Sequence, residues 1–490
     1  MALKWTKFPL TRKQSFLGLA IALVLGIVAC SVNPATGNRQ FTALLSPERE
    51  AQVGAQEHPK IEAQFGSFMK GPIATYVSNI GQKLAVNTER KEVKYQFFVI
   101  DTPMVNAFAL PGGYIYVTRG LLTLANSEAE MAAVVAHEIA HVTGRHSAER
   151  MSQGTLIGLG AAAVGIATGS SAAGQAANLG SNLYLSSYSR KQENEADNLG
   201  IRYLARAGYD PKAMTRFLNN LDKQSKFEAK QTGKKIQHSF FSTHPMTSDR
   251  VAITTKVAAE YPQSEKINRA TYLQKINGLD YGDSAAAGFA RGNTFYHPVL
   301  GFAFDVPKGS RIINQPSKVV AQHSNGNTLI FDAANDKSGL DVYQLLTQKV
   351  LANEKTTNAE RIKINGMDAA TASFPGTING RSVTLRVTLI EWAKGEFFRF
   401  QMAIPRGTSA AFISELKKST YSFRRLSASE KRTIQPKKLR VVTASSRDTV
   451  DTLAAKMDVE KDKREHFLVL NGMTNSSRVQ SGQPYKIVTK

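Results

Sequence analysis

The spacing of apolar residues changes rhythm along this 490-residue chain, and each change predicts a different kind of element. Near the start, "SPEREAQVGAQE" (46–57) reads as a helix that Ser46 can cap and Pro47 can open. "KYQFFVID" and "GGYIYVTRG" are short aromatic and β-branched runs, the composition of strands. Ala132, Ala133, Val134, Val135 and Ile139 then make the stretch after Asn126 and Ser127 apolar on every side, which predicts a capped, buried helix. Residues 30–260 together read as one mainly helical domain with a small sheet. From 261 to 293 the pattern fades, and "NGLDYGDSAAAGFARGN" reads as a linker. Over 294–425 the period falls to two: Val383, Leu385, Val387 and Leu389 alternate with polar neighbours, as in a half-buried strand. "LGFAFDVP", "NTLIFDA" and "EFFRFQMAI" are further strands, "AKGE" is a hairpin turn and "TSAAFISELKKS" a helix. This α+β unit carries no catalytic constellation. Residues 436–490 close the chain with a strand, two helices and a strand, through "DTVDTLAAKM", "FLVLNGM" and "SGQPYKIV".

Composition narrows the class. Apolar residues make up 42% and charged residues 21%, values of a globular protein, and the length suits two or three domains. The net charge of +23 favours acidic surfaces such as anionic lipid or cell-wall polymer, or serves solubility alone. No arginine-rich run is interleaved with aromatics, so nucleic acid is not an expected partner. The single cysteine, Cys30, follows "SFLGLAIALVLGIVA" and the basic residues Lys4, Lys7, Arg12 and Lys13. Charge, then a short apolar run, then a processing site is the plan of a secretory signal, here 1–29. The alternative is an uncleaved anchor helix; both place the chain outside the cytoplasm.

The candidate chemistry lies in "VVAHEIAHVTGRH" (134–146). Residues four apart share a helix face, so His137 and His141 can point two imidazoles at one ion. Glu138 can then reach a water held by that ion, which zinc brings to a pKa of about 7. A third protein ligand is needed. His146 falls one residue short of a three-histidine pattern, so it reads as a neighbour of the ligands or as structural. In "SRKQENEADNLG", Glu193, Ala196, Asp197 and Gly200 share one face; Glu193 can ligate, and Asp197 can fix a ligand histidine's tautomer. Glu195 is off that face and is the second candidate ligand. Residues 151–189 carry no charge and are rich in Gly, Ala and Ser, which favours a mobile lid over a membrane-dipping hairpin.

The pair H-E-x-x-H and E-x-x-A-D resembles the gluzincin family of zinc metalloproteases that contains the CaaX prenyl protease, the bacterial membrane heat-shock protease and periplasmic quality-control proteases. "NAFALPGGYIYVTRGLL", the Arg145–His146 pair and "STHPMTSDR" are similar to further segments of that family, over roughly residues 41–255. The resemblance implies one Zn2+ per chain, a zincin-type fold, and His244 and Arg250 in the catalytic machinery. His244 would stabilise an oxyanion or occupy the metal as a self-inhibiting plug; Arg250 would pair with a carboxylate or the oxyanion. Asn106 and the Gly112–Gly113 turn would shape an edge strand that pairs with an extended peptide. "IVAC" resembles a bacterial lipobox, which makes Cys30 a lipidated N-terminus; Ser31 after it, by analogy, points to the outer membrane. Residues 436–490 resemble a LysM module, which implies peptidoglycan as a partner; 17 Lys/Arg against 8 Asp/Glu over 415–490 give that end a basic surface. Residues 294–425 resemble the Mog/PsbP-type sandwich. The expected protein is a multidomain, lipid-anchored periplasmic zinc metalloendopeptidase acting on misfolded or stalled envelope proteins. The rivals are a non-catalytic envelope scaffold or chaperone, and a cell-wall peptide hydrolase.

Overall fold

The computed structural model describes residues 30–42, 44–156, 187–232 and 240–490. The expected signal segment, 1–29, and most of the stretch expected as a lid, 151–189, lie outside the described residues.

The chain opens with a small antiparallel hairpin, β1 (Cys30–Val32) and β2 (Arg39–Phe41), followed by helices α1 (Pro47–Phe65) and α2 (Pro72–Ala85). A three-stranded sheet comes next, from β3 (Gln96–Ile100), β4 (Ala107–Leu110) and β5 (Tyr114–Thr118), in the order β3-β5-β4. β3 runs parallel to β5, and β4 runs antiparallel to it at the edge. α3 (Arg119–Leu124) leads into α4 (Glu128–Thr143), in which every residue is buried. Ser127 caps α4 by accepting from Glu130 N–H at 3.2 Å, and the Glu130 carboxylate accepts from Asn126 N–H at 2.8 Å. α2, α5 (Arg190–Arg206), α6 (Ala213–Thr232) and β4 pack around it. Gly200 lets α5 approach closely: a Cβ there would lie 3.2 Å from His137 N. α7 (Phe240–Thr243) and α8 (Ser248–Ala259) complete this helical unit.

Residues 261–293, expected as a linker, hold ordered structure. α9 (Arg269–Ile276) buries Tyr272, Leu273 and Ile276, and β6 (Asp280–Tyr281) and β7 (Phe289–Arg291) follow. Those three apolar residues pack into the same core as α2 and α4, so the segment is part of the fold rather than a tether.

The sheet-rich region continues with β8 (Thr294–His297), β9 (Phe302–Asp305), β10 (Arg311–Gln315), β11 (Lys318–Gln322) and β12 (Thr328–Asn335). β13 (Thr357–Ile364), β14 (Met367–Ile378), β15 (Arg381–Ala393), β16 (Glu396–Pro405), α10 (Ala410–Tyr421) and β17 (Arg424–Arg425) complete it. Seven strands form an antiparallel sheet, β10-β11-β12-β16-β15-β14-β13, and four form a second, β17-β9-β8-β7. Phe302, Phe304, Phe331, Phe400 and Phe423 fill one core against the large sheet. Its other side meets the helical segment from Val342 to Val350 through Val387, Leu389 and Phe397. β15 is thus covered on both sides, which is why Val387–Ile390 are buried without alternation.

The last unit has strand–helix–helix–strand order: β18 (Lys437–Thr443), α11 (Val450–Ala455), α12 (Lys463–Leu470) and β19 (Pro484–Thr489). β18 pairs antiparallel with β19 and, on its other side, with β6. Leu439, Leu453, Phe467 and Val488 belong to the core of the helical unit. Lys486, from β19, is wholly buried and donates to the carbonyls of Thr123, Leu124 and Ala125 at 2.7, 3.0 and 2.9 Å. Its ammonium therefore sits at the C-terminal end of α3, where carbonyls lack helical partners. Among the described residues, no helix is long and apolar enough to cross a membrane.

Candidate metal centre

Three segments deliver side chains to one point. α4 contributes His137, Glu138 and His141; α5 contributes Glu193 and Asp197; the α7–α8 connection contributes His244, and α8 contributes Arg250. The ligand-capable atoms of His137, His141, Glu193 and His244 all lie within 4.8 Å of one another, and all four residues are buried. His137 Nε2 is 3.0 Å from His141 Nε2 and 3.3 Å from His244 Nδ1. Glu193 stands 3.0 Å from His244 Nδ1, 3.5 Å from His141 Nε2 and 3.6 Å from His137 Nε2. Four donors bonded to zinc at about 2.0–2.1 Å in a tetrahedron would be about 3.3–3.4 Å apart, so the observed spacings fit one shared ion.

The surroundings fit a cation too. Asp197 Oδ1 lies 2.9 Å from His137 Nδ1, although the N–H does not point squarely at it. Arg250 donates to both Asp197 oxygens at 2.8 Å and lies 2.7 Å from Glu193 Oε2. Burial opposes charge on His137, but Asp197 and Glu193 outweigh it and raise its proton affinity. For His141 burial dominates and holds it well below the usual imidazole range, in the neutral form that ligates. Burial works against the Glu193 carboxylate, yet His244 and His141 hold its pKa well below the ordinary value. Burial raises Glu138. Among the described residues, both Glu138 oxygens and His244 Nε2 are buried without a hydrogen-bond partner, though His244 Nε2 and Glu138 Oε1 face each other at 3.5 Å. Buried polar atoms left in this way mark a place where an ion, water or ligand completes the set.

The remaining expected residues are placed as follows. His146 Nδ1 is 2.8 Å from His141 Nδ1, on the side away from the cluster, and its Nε2 is 3.2 Å from Glu195 Oε1. Glu195 also accepts from Asn33, so it faces His146 and not the ligand atoms. Asn106 precedes β4, where its side chain accepts from Ala107 N–H at 2.9 Å. Gly112 and Gly113 have φ of +82° and +95° at the β4–β5 turn. A Cβ on Gly112 would come 2.7 Å from Ala51 Cα, so the turn is clamped beneath α1. β4 is the sheet's edge strand, and just before it Val105 O accepts from Phe240 N–H at 3.1 Å, which sets the His244 segment beside that edge. Cys30 pairs with Phe41 in the β1–β2 hairpin. Sequence reasoning missed Tyr188, whose ring lies on His141; Arg150, whose guanidinium lies on Tyr188; and Phe240, which stacks on His244. Tyr188 and Arg150 do not stand at helical spacing from a ligand, so no local pattern marked them; Phe240 does, four residues before His244, and that spacing was the signal available for it.

A buried H-E-x-x-H helix, a glutamate from a second helix and a third histidine form the donor set that a zincin-type metal site uses. Residues 73–257 match the model of Peptidase family M48. It is 34% identical over 232 residues to the putative beta-barrel assembly-enhancing protease of Vibrio cholerae, covering 44% of this chain and 46% of that one. The beta-barrel assembly-enhancing protease of Escherichia coli (strain K12) is 32% identical over 289 residues, 54% of this chain and 58% of that one. The mitochondrial metalloendopeptidase OMA1 of Schizosaccharomyces pombe is 30% identical over 226 residues, 44% and 63%. The chain spans about half the length of these bacterial relatives. Among solved structures, cyanobacterial PsbP from Synechocystis covers 28% of this chain and 94% of its own at 11% identity and a TM-score of 0.23. The Ran-binding protein Mog1p of Saccharomyces cerevisiae covers 29% and 98% at 12% and 0.22. Likeness at these scores does not assign the sheet-rich region.

Proposed function

We propose that this chain is a zinc metalloendopeptidase that hydrolyses peptide bonds of misfolded or stalled cell-envelope proteins. The observation that carries the reading is the convergence of four buried ligand atoms beside a glutamate whose two oxygens have no hydrogen-bond partner among the described residues. His137 and His141 through Nε2, Glu193 through its carboxylate and His244 through Nδ1 would hold the ion. When bound, zinc supplies Lewis acidity, which polarises a carbonyl and makes water acidic near neutrality. Glu138 acts as general base: one carboxylate oxygen takes the proton of the attacking water and passes it to the departing amide nitrogen. Burial, which raises its affinity for that proton, suits the task. Asp197 steadies His137 from Nδ1, His146 steadies His141, and Arg250 holds Asp197 and Glu193 in place. A catalytic zinc site keeps one position open. With Nδ1 of His244 close to both His137 and Glu193, the geometry supports His244 as a plug that substrate displaces, over a standing oxyanion donor.

β4 is the edge strand among the described residues, with Asn106 at its start and the Gly112–Gly113 turn at its end, so an extended peptide can bind there through main-chain bonds whatever its side chains. That suits unfolded clients, and the names of the relatives from Vibrio cholerae and Escherichia coli agree with an envelope substrate. The compartment is the periplasm on this reading, with Cys30 as lipid anchor at the outer membrane. On the same reading the strand–helix–helix–strand unit serves as a LysM-like contact to peptidoglycan.

The full chain is expected to cleave unfolded casein, and 1,10-phenanthroline is expected to abolish that activity until zinc is restored. A scaffold would bind casein without cutting it. A cell-wall hydrolase would leave casein whole and release peptide from purified peptidoglycan.

A further inference from the structure

We propose that Tyr188 is a positioning residue of the metal centre, clamping the ligand on α4 to the ligand after α7, with Arg150 as its backing. The inference rests on the metal reading above. Tyr188 is buried, and its ring lies parallel to His141, centroids 3.6 Å apart and planes 13° apart. The Arg150 guanidinium is also 3.6 Å from the Tyr188 centroid. Two groups cannot share one face at that distance, so the order is His141, Tyr188, Arg150, a three-layer stack with a cation–π contact at its outer side. Ser147 ties the Tyr188 and Arg150 layers together, 3.4 Å from the Tyr188 hydroxyl and accepting from Arg150 Nη2 at 3.3 Å.

Tyr188 also reaches the other side of the site. Its backbone N–H donates to Thr243 O at 2.9 Å, one residue before His244, and the two rings are 5.2 Å apart. Ser189, the next residue, caps α5 through a capping box with Gln192, and the ligand Glu193 follows in the first turn. One residue therefore borders all three ligand-bearing segments. His244 is otherwise steadied by Phe240, stacked 4.3 Å away, and by that residue's bond to Val105. A displacement of His244 that moves its backbone must break the Thr243–Tyr188 bond or carry Tyr188 with it, and one that only swings the imidazole must move it past the Tyr188 ring. The Tyr188 ring thereby sets how firmly His244 occupies the metal.

The test uses the full chain loaded with cobalt(II), whose visible bands report coordination, and reads release of cobalt to EDTA alongside the spectrum. Tyr188→Phe keeps the stack and should match the parent in both. Tyr188→Ala should shift the bands as solvent replaces His244 and release cobalt roughly 10-fold faster or more, the range typical of lost outer contacts to a ligand. Tyr188→Leu keeps the site apolar and part of the volume and is read for the same changes if the alanine variant does not fold. A purely structural role would lower thermal stability and leave bands and release rate unchanged, and that result overturns the proposal. A parent that holds no stoichiometric cobalt overturns the metal reading and this proposal with it.

Discussion

Glu138→Gln should lower the rate of casein cleavage between about 10²- and 10⁴-fold, the share a positioned general base contributes, while zinc content stays at the parental value. The expectation follows from position. Glu138 is wholly buried, neither of its oxygens has a hydrogen-bond partner among the described residues, and it is one residue from the ligand His137 without belonging to the four-ligand cluster. Glutamine has the same shape and keeps the helix packed, but it cannot take a proton from water. The measurement is initial-rate cleavage with metal analysis on the same samples. Loss of zinc in the variant would move Glu138 into the ligand set; full activity would remove it from the chemistry.

Arg250→Met should have the largest effect on stability, about 3–5 kcal/mol in the metal-free chain, read from the urea midpoint at unchanged slope. Arg250 is buried and joins Asp197 through two bonds and Glu193 through a third contact, and both carboxylates are buried. Methionine fills much of the volume and leaves two buried carboxylates without their cation. The pH dependence fixes the cause. Burial opposes the Asp197 charge, but Arg250 outweighs it and depresses the pKa. A depressed carboxylate stabilises the fold above its unfolded pKa, about 4, and that contribution is lost as pH falls through the folded value. The gap between parent and variant should therefore be full at neutral pH and shrink below pH 4. A gap under about 1 kcal/mol at neutral pH would mean that Arg250 does not hold the carboxylates.

Much of the site was legible because its spacing is local. His137, Glu138 and His141 lie within one and a half helical turns, and Glu193 and Asp197 share a face of α5, so periodicity alone groups them. Bringing α4, α5 and His244 to one point needed the fold. Tyr188 meets residues 47 positions before it and 55 after it, and Lys486 meets the end of α3 from 361 to 363 positions away; no sequence window spans such contacts. The alternation of β15 was readable up to Arg386 and then misleading, because both sides of the sheet are covered from Val387 onward. Residues 261–293 looked like a tether because Gly, Ala and Ser dominate part of them, while the buried faces of Tyr272, Leu273 and Ile276 are too few to set a period.

The most direct test of the metal centre is X-ray absorption at the zinc edge on the purified full chain. One zinc per chain is expected, with a first shell of four nitrogen and oxygen donors at about 2.0–2.1 Å, three of them imidazole, and no sulfur. In His244→Ala one imidazole should be replaced by water. Absence of zinc, or a first shell unaltered in His244→Ala, would contradict the four-ligand centre.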